Sequence, residues 1–185
     1  MATSLEAAAS RNAAPTLQTE RLTLRAHRAE DFEALLAMWS DPRTVAFIDG
    51  SPRPPHIVWL KLLAAAGLWQ LAGYGYWAVE HKGKLVGQAG VAEFKRPTEP
   101  PLSLPETGWS FAPDYWSRGF ATEAMRAVLG WCDCELEAPA TCCIIQRENA
   151  ASVHVAEKLG YCFERMIDFD GPVQLFTRAR QGAPS

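Results

Sequence analysis

The chain has little surplus charge: eighteen Lys and Arg stand against twenty-one Asp and Glu, a formal net charge of -3. No basic stripe gathers in it, which argues against a protein that grips nucleic-acid backbones by charge. Long apolar runs are missing too. The longest, Leu62 to Trp69, spans eight residues and contains Gly67, far short of a bilayer span, so no membrane partner is expected. Cysteines are few and odd in number: Cys132, Cys134, Cys142, Cys143 and Cys162 form no Cys-x-x-Cys pair. Neither a disulfide framework nor a metal site is expected, and their apolar settings predict reduced, buried thiols in the cytoplasm. There is no internal repeat. The Ala-rich stretch Met1 to Thr16 has no basic start leading into an apolar block, so it reads as a loose tail and not as a secretory signal.

What is present is globular material: 185 residues, 48% hydrophobic and 21% charged, enough for one domain with a buried core. The expected organisation is a tail over residues 1–16, one domain over 17–178 and a C-terminal tail over 179–185. Arg21 to Arg25 alternates polar and apolar residues as a half-buried strand does, and reads as the first ordered element. Phe32, Leu35, Leu36 and Trp39 give a helix face that stops at Asp41-Pro42. A second helix follows Pro54-Pro55, with Trp59, Leu62, Leu63 and Ala66 on one face. Gly75 to Glu80 and Leu85 to Phe94 form a hairpin through Lys82-Gly83-Lys84. Lys95 to Pro105, with four prolines, is an irregular loop. Glu106 to Phe111 is a strand ended by Pro113, and Met125, Val128, Leu129 and Cys132 mark a third amphipathic helix. Thr141 to Ile145 reads as a strand buried on both faces. A short helix carrying Ser152, Val155, Ala156 and Leu159 on one face closes at Gly160, and a final hairpin turns at Asp170-Gly171. The whole is an α/β fold with a mixed sheet and helices on both faces.

The most informative segment is Tyr115-Trp116-Ser117-Arg118-Gly119-Phe120-Ala121-Thr122-Glu123-Ala124, between a strand and an amphipathic helix. A helix N-terminus presents unpaired amides and a partial positive charge, and Gly119 with the small Ala121 lets a diphosphate approach the backbone. Arg118 adds a mobile cation. The plainer alternative is a tight turn at Gly119 whose helix is capped by Thr122 or Ser117.

With Glu106-Thr107-Gly108-Trp109-Ser110-Phe111 before that segment, and Asn149-Ala150-Ala151-Ser152 and Glu157-Lys158-Leu159-Gly160-Tyr161 after it, the chain resembles the GNAT superfamily of acyl-CoA-dependent N-acetyltransferases. Within it the Rim-type branch, the ribosomal-protein N-terminal acetyltransferases, is closest, with its opening Thr19-Glu20-Arg21-Leu22. The likeness covers roughly Leu17 to Thr177, and several ordered signals coincide in it. It implies a mostly antiparallel mixed sheet with a splayed central strand pair. The family's phosphate loop, Gln/Arg-x-x-Gly-x-Gly/Ala, maps onto Trp116 to Ala121; Gly119 and Ala121 are in place, and Trp116 is a departure that removes a polar side chain. The resemblance implies acetyl-CoA as co-substrate, lying between the strand of Glu106 to Phe111 and the strand of Thr141 to Ile145. Its contacts would be the backbone around Trp109 and Phe111, the turn of Trp116, Ser117, Arg118, Gly119, Phe120, Ala121 and Thr122, and Asn149.

Amine attack on a thioester builds an oxyanion that a fixed amide stabilises, so no covalent enzyme intermediate is needed and the cysteines fit the core. The amine must still lose a proton. Glu106 stands where related enzymes often hold a base, and alternation puts it on the face of Gly108 and Ser110; an exposed strand-end carboxylate is the alternative reading. Glu93 is a second choice, and Asp168 and Asp170 are weaker ones. Many relatives place a Tyr where this chain has Ala156; the Rim-type branch offers Ser152 one helical turn earlier as the acid. Ser152 and Asn149 also suit helix-start hydrogen bonding, and His154 falls off that face. The acceptor site is expected between the first two helices and the Pro-rich loop, with Trp39, Trp59, Trp69 and Trp77 as aromatic walls or core. The expected function is direct acetyl transfer to a primary amine, on a protein N-terminus or a small molecule. A CoA-binding sensor or scaffold without turnover, a succinyl-CoA donor and a homodimer all remain open.

Overall fold

The computed structural model describes residues 13–48 and 50–182. Its alternating segments pair into a single eight-stranded sheet in the order β1-β2-β3-β4-β5-β6-β8-β7. The strands are β1 (Leu17–Gln18), β2 (Thr23–Arg25), β3 (Tyr76–His81), β4 (Lys84–Ala92), β5 (Glu106–Phe111), β6 (Ala140–Ile145), β7 (Cys162–Asp168) and β8 (Pro172–Ala179). Every neighbouring pair is antiparallel except β5 and β6. The helices are α1 (Phe32–Ser40), α2 (Pro42–Val45), α3 (Pro55–Ala72), α4 (Phe120–Glu135) and α5 (Ala150–Lys158). The sheet is thus mixed and mostly antiparallel, as expected.

Two helix-covered cores lie against it, beside a smaller cluster of Cys142, Ile167, Val173 and Leu175 that Leu102 and Leu104 pack against. In the larger, Ala124, Met125, Val128, Leu129 and Cys132 of α4 meet Trp77, Val79, Ala89 and Val91, and each large side chain buried there contributes roughly 1.5–3 kcal/mol. In the other, Leu35, Met38 and Trp39 of α1 and Val58 and Leu62 of α3 meet Leu85. Val86, and not Leu85, joins Ala89 and Val91 in the larger core because β4 carries an extra residue: Val79 pairs with Gly87, and the next residue, Glu80, pairs with Leu85. Such a bulge resets the alternation.

The central feature is the junction of β5 and β6. These parallel strands share one register pair, Glu106 with Cys142. The Cys142 amide donates to the Pro105 carbonyl at 2.9 Å, and Thr107 Oγ1 donates to the Cys142 carbonyl at 3.1 Å. The Tyr161 hydroxyl lies 2.7 Å from both Thr107 Oγ1 and Thr141 Oγ1. Tyr161 is delivered by the end of α5, where Gly160 adopts φ +84 and the Tyr161 amide returns to the Ala156 carbonyl, a left-handed helix stop. Beyond this junction the two strands part.

Several expectations are corrected. The first strand is Leu17–Gln18, and Arg21 and Leu22 belong to the turn after it, where Thr19 Oγ1 accepts the Leu22 amide at 2.9 Å. The expected tail falls outside the described residues for 1–12, but Pro15 is packed, its carbonyl accepting Trp77 Nε1 at 2.7 Å. In α3 the buried face is Val58, Leu62, Ala65 and Trp69; Trp59 and Leu63 are 40% and 50% exposed. That helix is apolar on nearly every side, so spacing alone does not choose its core face. Cys134 and Cys162 are exposed, one on the outer side of α4 and one on edge strand β7. Among the described residues no helix is long and apolar enough to cross a membrane.

His27 is a buried weak point. Neither ring nitrogen has a hydrogen-bond partner, and burial lowers its pKa from 6.5 to about 4, against the opposing pull of Asp31. The folded state therefore resists the proton that the unfolded chain accepts first. Its contribution to stability is whole above about pH 6.5 and is lost as pH falls toward about 4. Unfolding free energy from urea titration is expected to be about 1 kcal/mol lower near pH 5.5 than near pH 7. His27→Leu is expected to flatten that difference; an unchanged slope in the variant would assign it elsewhere.

Candidate active site

Past the junction, one edge of β5 has no strand partner. The Ala112 amide donates to the Val86 carbonyl of β4. Backbone groups of alternate residues face the same side of a strand, so the amides of Trp109 and Phe111 face away from β4 and into the gap toward β6. The structure therefore brings together the two strand residues that the family likeness named. Trp116 straps this edge: its Nε1 donates to the Phe111 carbonyl at 2.7 Å while its ring stays half exposed. The departure from the polar residue of the family pattern thus serves the geometry of the strand end.

The turn into α4 comes next. Ser117 at φ +58 and Gly119 at φ +77 are both left-handed, and Gly119 is the N-cap of α4 with no side-chain hydrogen bond. Neither Ser117 nor Thr122 caps the helix, so the first-turn amides of Phe120, Ala121 and Thr122 are left for an anion, with the helix dipole behind them. Phe120 offers only its amide, since its side chain is core. The Arg118 guanidinium sits over Tyr115 and Phe120, 5.5 and 5.3 Å from the ring centroids, and is exposed at the turn.

Behind the turn lies a buttress that sequence reading missed. Glu123 accepts hydrogen bonds from Thr19 Oγ1 (2.6 Å), the Arg21 amide (2.8 Å) and Arg21 Nε (2.6 Å). Arg21 also donates to the Arg118 carbonyl at 2.9 Å. Burial works against the Glu123 charge, yet these bonds hold its carboxyl below the usual range. The Thr19-Glu20-Arg21-Leu22 element, legible only as a resemblance, is the clamp on the turn.

At the junction end, Glu106 is buried at 6% exposure, which overturns the reading of an exposed strand-end carboxylate. Arg96 holds both its oxygens, Nε to Oε2 at 2.6 Å and Nη2 to Oε1 at 3.0 Å. The guanidinium in turn lies between Phe94 and Phe169, 4.7 and 4.9 Å from their centroids. Glu106, Arg96, Phe94, Glu93, Leu102 and Leu104 line a cavity of about 330 Å³. Glu93 is bonded to Lys95 at the surface. Asp168 and Asp170 are exposed on the last hairpin, outside that lining.

On α5, Asn149 is the N-cap, its Oδ1 accepting the Ser152 amide at 3.1 Å. Ser152 lies one turn before Ala156, which is fully buried. Of the tryptophans read as walls or core, Trp69 and Trp77 are core: with Trp131 they form an edge-on cluster, with centroids 4.6 to 5.4 Å apart. Trp39 is buried with the first helices, and Trp59 packs on Phe32. Burial pushes the Cys142 thiol up to about 12, aided by Glu106, so it stays protonated and is a poor nucleophile. Among the described residues no group of three or more His, Cys, Asp or Glu is placed to hold a metal ion.

A family model described as an acetyltransferase (GNAT) domain matches residues 21–162. The uncharacterized protein YkkB of Bacillus subtilis is 28% identical over 177 residues, covering 90% of this chain and 97% of that one. The crystal structure of an acetyltransferase from Agrobacterium tumefaciens aligns with a TM-score of 0.77 at 26% identity, over 90% of this chain and 95% of the other. Mycobacterium smegmatis RimJ in complex with CoA-disulfide aligns at 0.72 and 18% identity over 91% of each chain, a likeness of fold alone.

Gly119→Val forces a β-branched residue into φ +77, at a cost of about 1–2 kcal/mol. If the turn must keep that conformation to bind a diphosphate, CoA affinity measured by calorimetry is expected to fall about five- to thirtyfold. Gly130→Ala, farther along α4 with nothing within 4 Å of the added Cβ, is expected to bind as the unaltered protein does.

Proposed function

The chain belongs to the GNAT acetyltransferase family, and on that premise we propose that it moves acetyl from acetyl-CoA directly to a primary amine within a ternary complex. The observation that carries this reading is the coincidence of an uncapped α4 N-terminus with the unpaired edge of β5, at one mouth. The first holds a diphosphate through main-chain amides. The second offers fixed donors along an extended arm and at the acyl oxygen.

Bound acetyl-CoA supplies an activated acyl group as a thioester. The protein's part is placement and proton handling. Amides of Phe120, Ala121 and Thr122 take the diphosphate, with Arg118 beside them, and those of Trp109 and Phe111 line the path toward the junction. Glu106 takes the amine proton, since each carboxylate oxygen keeps a lone pair beyond its bond to Arg96. Ser152 is proposed to donate to the departing sulfur. The acceptor approaches from the cavity of Glu106 and Arg96, and is a small-molecule amine or a protein N-terminus of the kind the Rim-type branch uses; the Thr19-to-Leu22 clamp supports that branch. The proposed setting is the cytoplasm, where five unpaired thiols stay reduced.

The test is calorimetric binding of acetyl-CoA, followed by free-thiol release across a panel of amines and N-terminal peptides. Glu106→Gln keeps one of the two hydrogen bonds from Arg96, since its amide nitrogen cannot accept, and removes the base; thiol release is expected to fall about a hundredfold with acetyl-CoA binding retained. A folded sample that does not bind acetyl-CoA defeats the proposal. Binding with no thiol release from any acceptor turns the reading to a CoA sensor without turnover.

A further inference from the structure

A row of residues crosses the sheet on the face opposite α4. Tyr76 of β3 pairs with Gly90 of β4, and Gly90 with Gly108 of β5. A Cβ on Gly90 would lie 2.8 Å from Tyr76 Cγ, and one on Gly108 would lie 2.3 Å from the Tyr76 hydroxyl oxygen. Neither side chain fits. The two glycines thus form a trench that lets the Tyr76 ring lie across β4 and set its hydroxyl over β5.

The place it reaches is specific. Gly108 follows Glu106, the residue paired with β6, by two positions, so the hydroxyl sits over the part of β5 whose outer edge is open. Glu106 and Gly108 share that face by alternation. Phe94 packs on the Tyr76 ring, 5.9 Å between centroids, and lines the cavity that Glu106 and Arg96 also line. The hydroxyl has no hydrogen-bond partner among the described residues. On the acetyl-transfer reading, an arm anchored at the α4 turn would run along the open edge of β5 as far as the junction, which puts Gly108 at its reactive end.

We propose that Tyr76 is a catalytic hydroxyl of this enzyme: its oxygen accepts a hydrogen bond from the incoming amine and aims the nitrogen lone pair at the acyl carbon. The inference rests on the acetyl-transfer reading above. The N–C bond forms as the C–S bond breaks; the sulfur leaves with the bonding electrons, and the proton lost by nitrogen goes to Glu106. Tyr76 exchanges no proton in this step. Burial, reinforced by Glu106, raises the phenol above its ordinary range, which suits a neutral hydrogen-bonding group. The trench then has a purpose beyond packing, since a ring that only filled space would do so as well without its oxygen.

Tyr76→Phe keeps the ring and removes that oxygen. With an amine that the unaltered enzyme acetylates, kcat from thiol release is expected to fall about ten- to a hundredfold, with acetyl-CoA affinity within about twofold and the circular dichroism spectrum unchanged. Gly108→Ala displaces the hydroxyl and is expected to cost a similar factor alone and little in the Tyr76→Phe background, a coupling that independent defects would not show. A Tyr76→Phe enzyme within about twofold of the unaltered rate overturns the proposal even if Gly108→Ala does not fold. An unaltered protein that releases no thiol with any amine is a different failure: it removes the transferase reading and the role of Tyr76 with it.

Discussion

Everything at this site follows from β5 and β6 pairing once and then separating. Two parallel strands that paired along their length would consume the amides of Trp109 and Phe111 in the ladder. Here the pairing stops at Glu106 and Cys142. Tyr161 bridges Thr107 and Thr141 at the junction, so the strands are bolted at one end and open at the other. Parallel neighbours need a crossover, and α4 is that crossover. It starts where β5 ends, so a helix N-terminus stands at the mouth of the opening. One topological constraint thus yields an unpaired strand edge and an anion site side by side. Both present main-chain donors of the kind that the proposed ligand, with a diphosphate and an amide-bearing arm, would use.

The charges of the site are arranged so that the mouth stays receptive to an anion. A carboxylate in the first turn of a helix ordinarily competes for the same amides as a bound anion. Glu123 does not, because Thr19 and Arg21 occupy its oxygens. At the other end Arg96 compensates Glu106 while two aromatic rings hold the guanidinium flat. A buried carboxylate without that partner would be costly to keep charged. Glu123 and Glu106 are thus each matched to an arginine, Arg21 and Arg96.

The parts legible in the sequence are those encoded by near neighbours. The bounds of β5 and the buried stripe of Met125, Val128, Leu129 and Cys132 follow from periods of 2 and 3.6, and the hairpin at Lys82-Gly83 follows from residues that tolerate positive φ. The turn at Gly119 was legible because backbone conformation there is set by one residue. What escaped is joined across long separations: Arg21 to Glu123, Tyr161 to the two threonines, Arg96 to Glu106 through an irregular loop. No local period marks such pairs. The face of α3 escaped for the opposite reason, too many apolar residues; of the tryptophans read as walls or core, Trp69 and Trp77 pack on each other and Trp39 is buried among the first helices. Tyr76 escaped because its reach depends on what two other strands lack.

This division bears on where specificity for the acceptor resides. On the proposed reading, the half of the site that would meet acetyl-CoA is built largely from backbone amides, whose direction depends on the fold and hardly on side-chain identity; many sequences sharing little identity can keep it. The cavity proposed for the acceptor is lined by side chains, and several come from Lys95 to Pro105, where prolines impose shape without a repeating pattern. Phe94, Arg96, Leu102 and Leu104 enclose that side. Changes in this loop alter the space beside Glu106 and Tyr76 while leaving the junction and the α4 turn intact. Family membership can therefore be read across distant relatives while the amine is not: the first is written in the topology, and the second in a few loop side chains that the topology leaves free to vary.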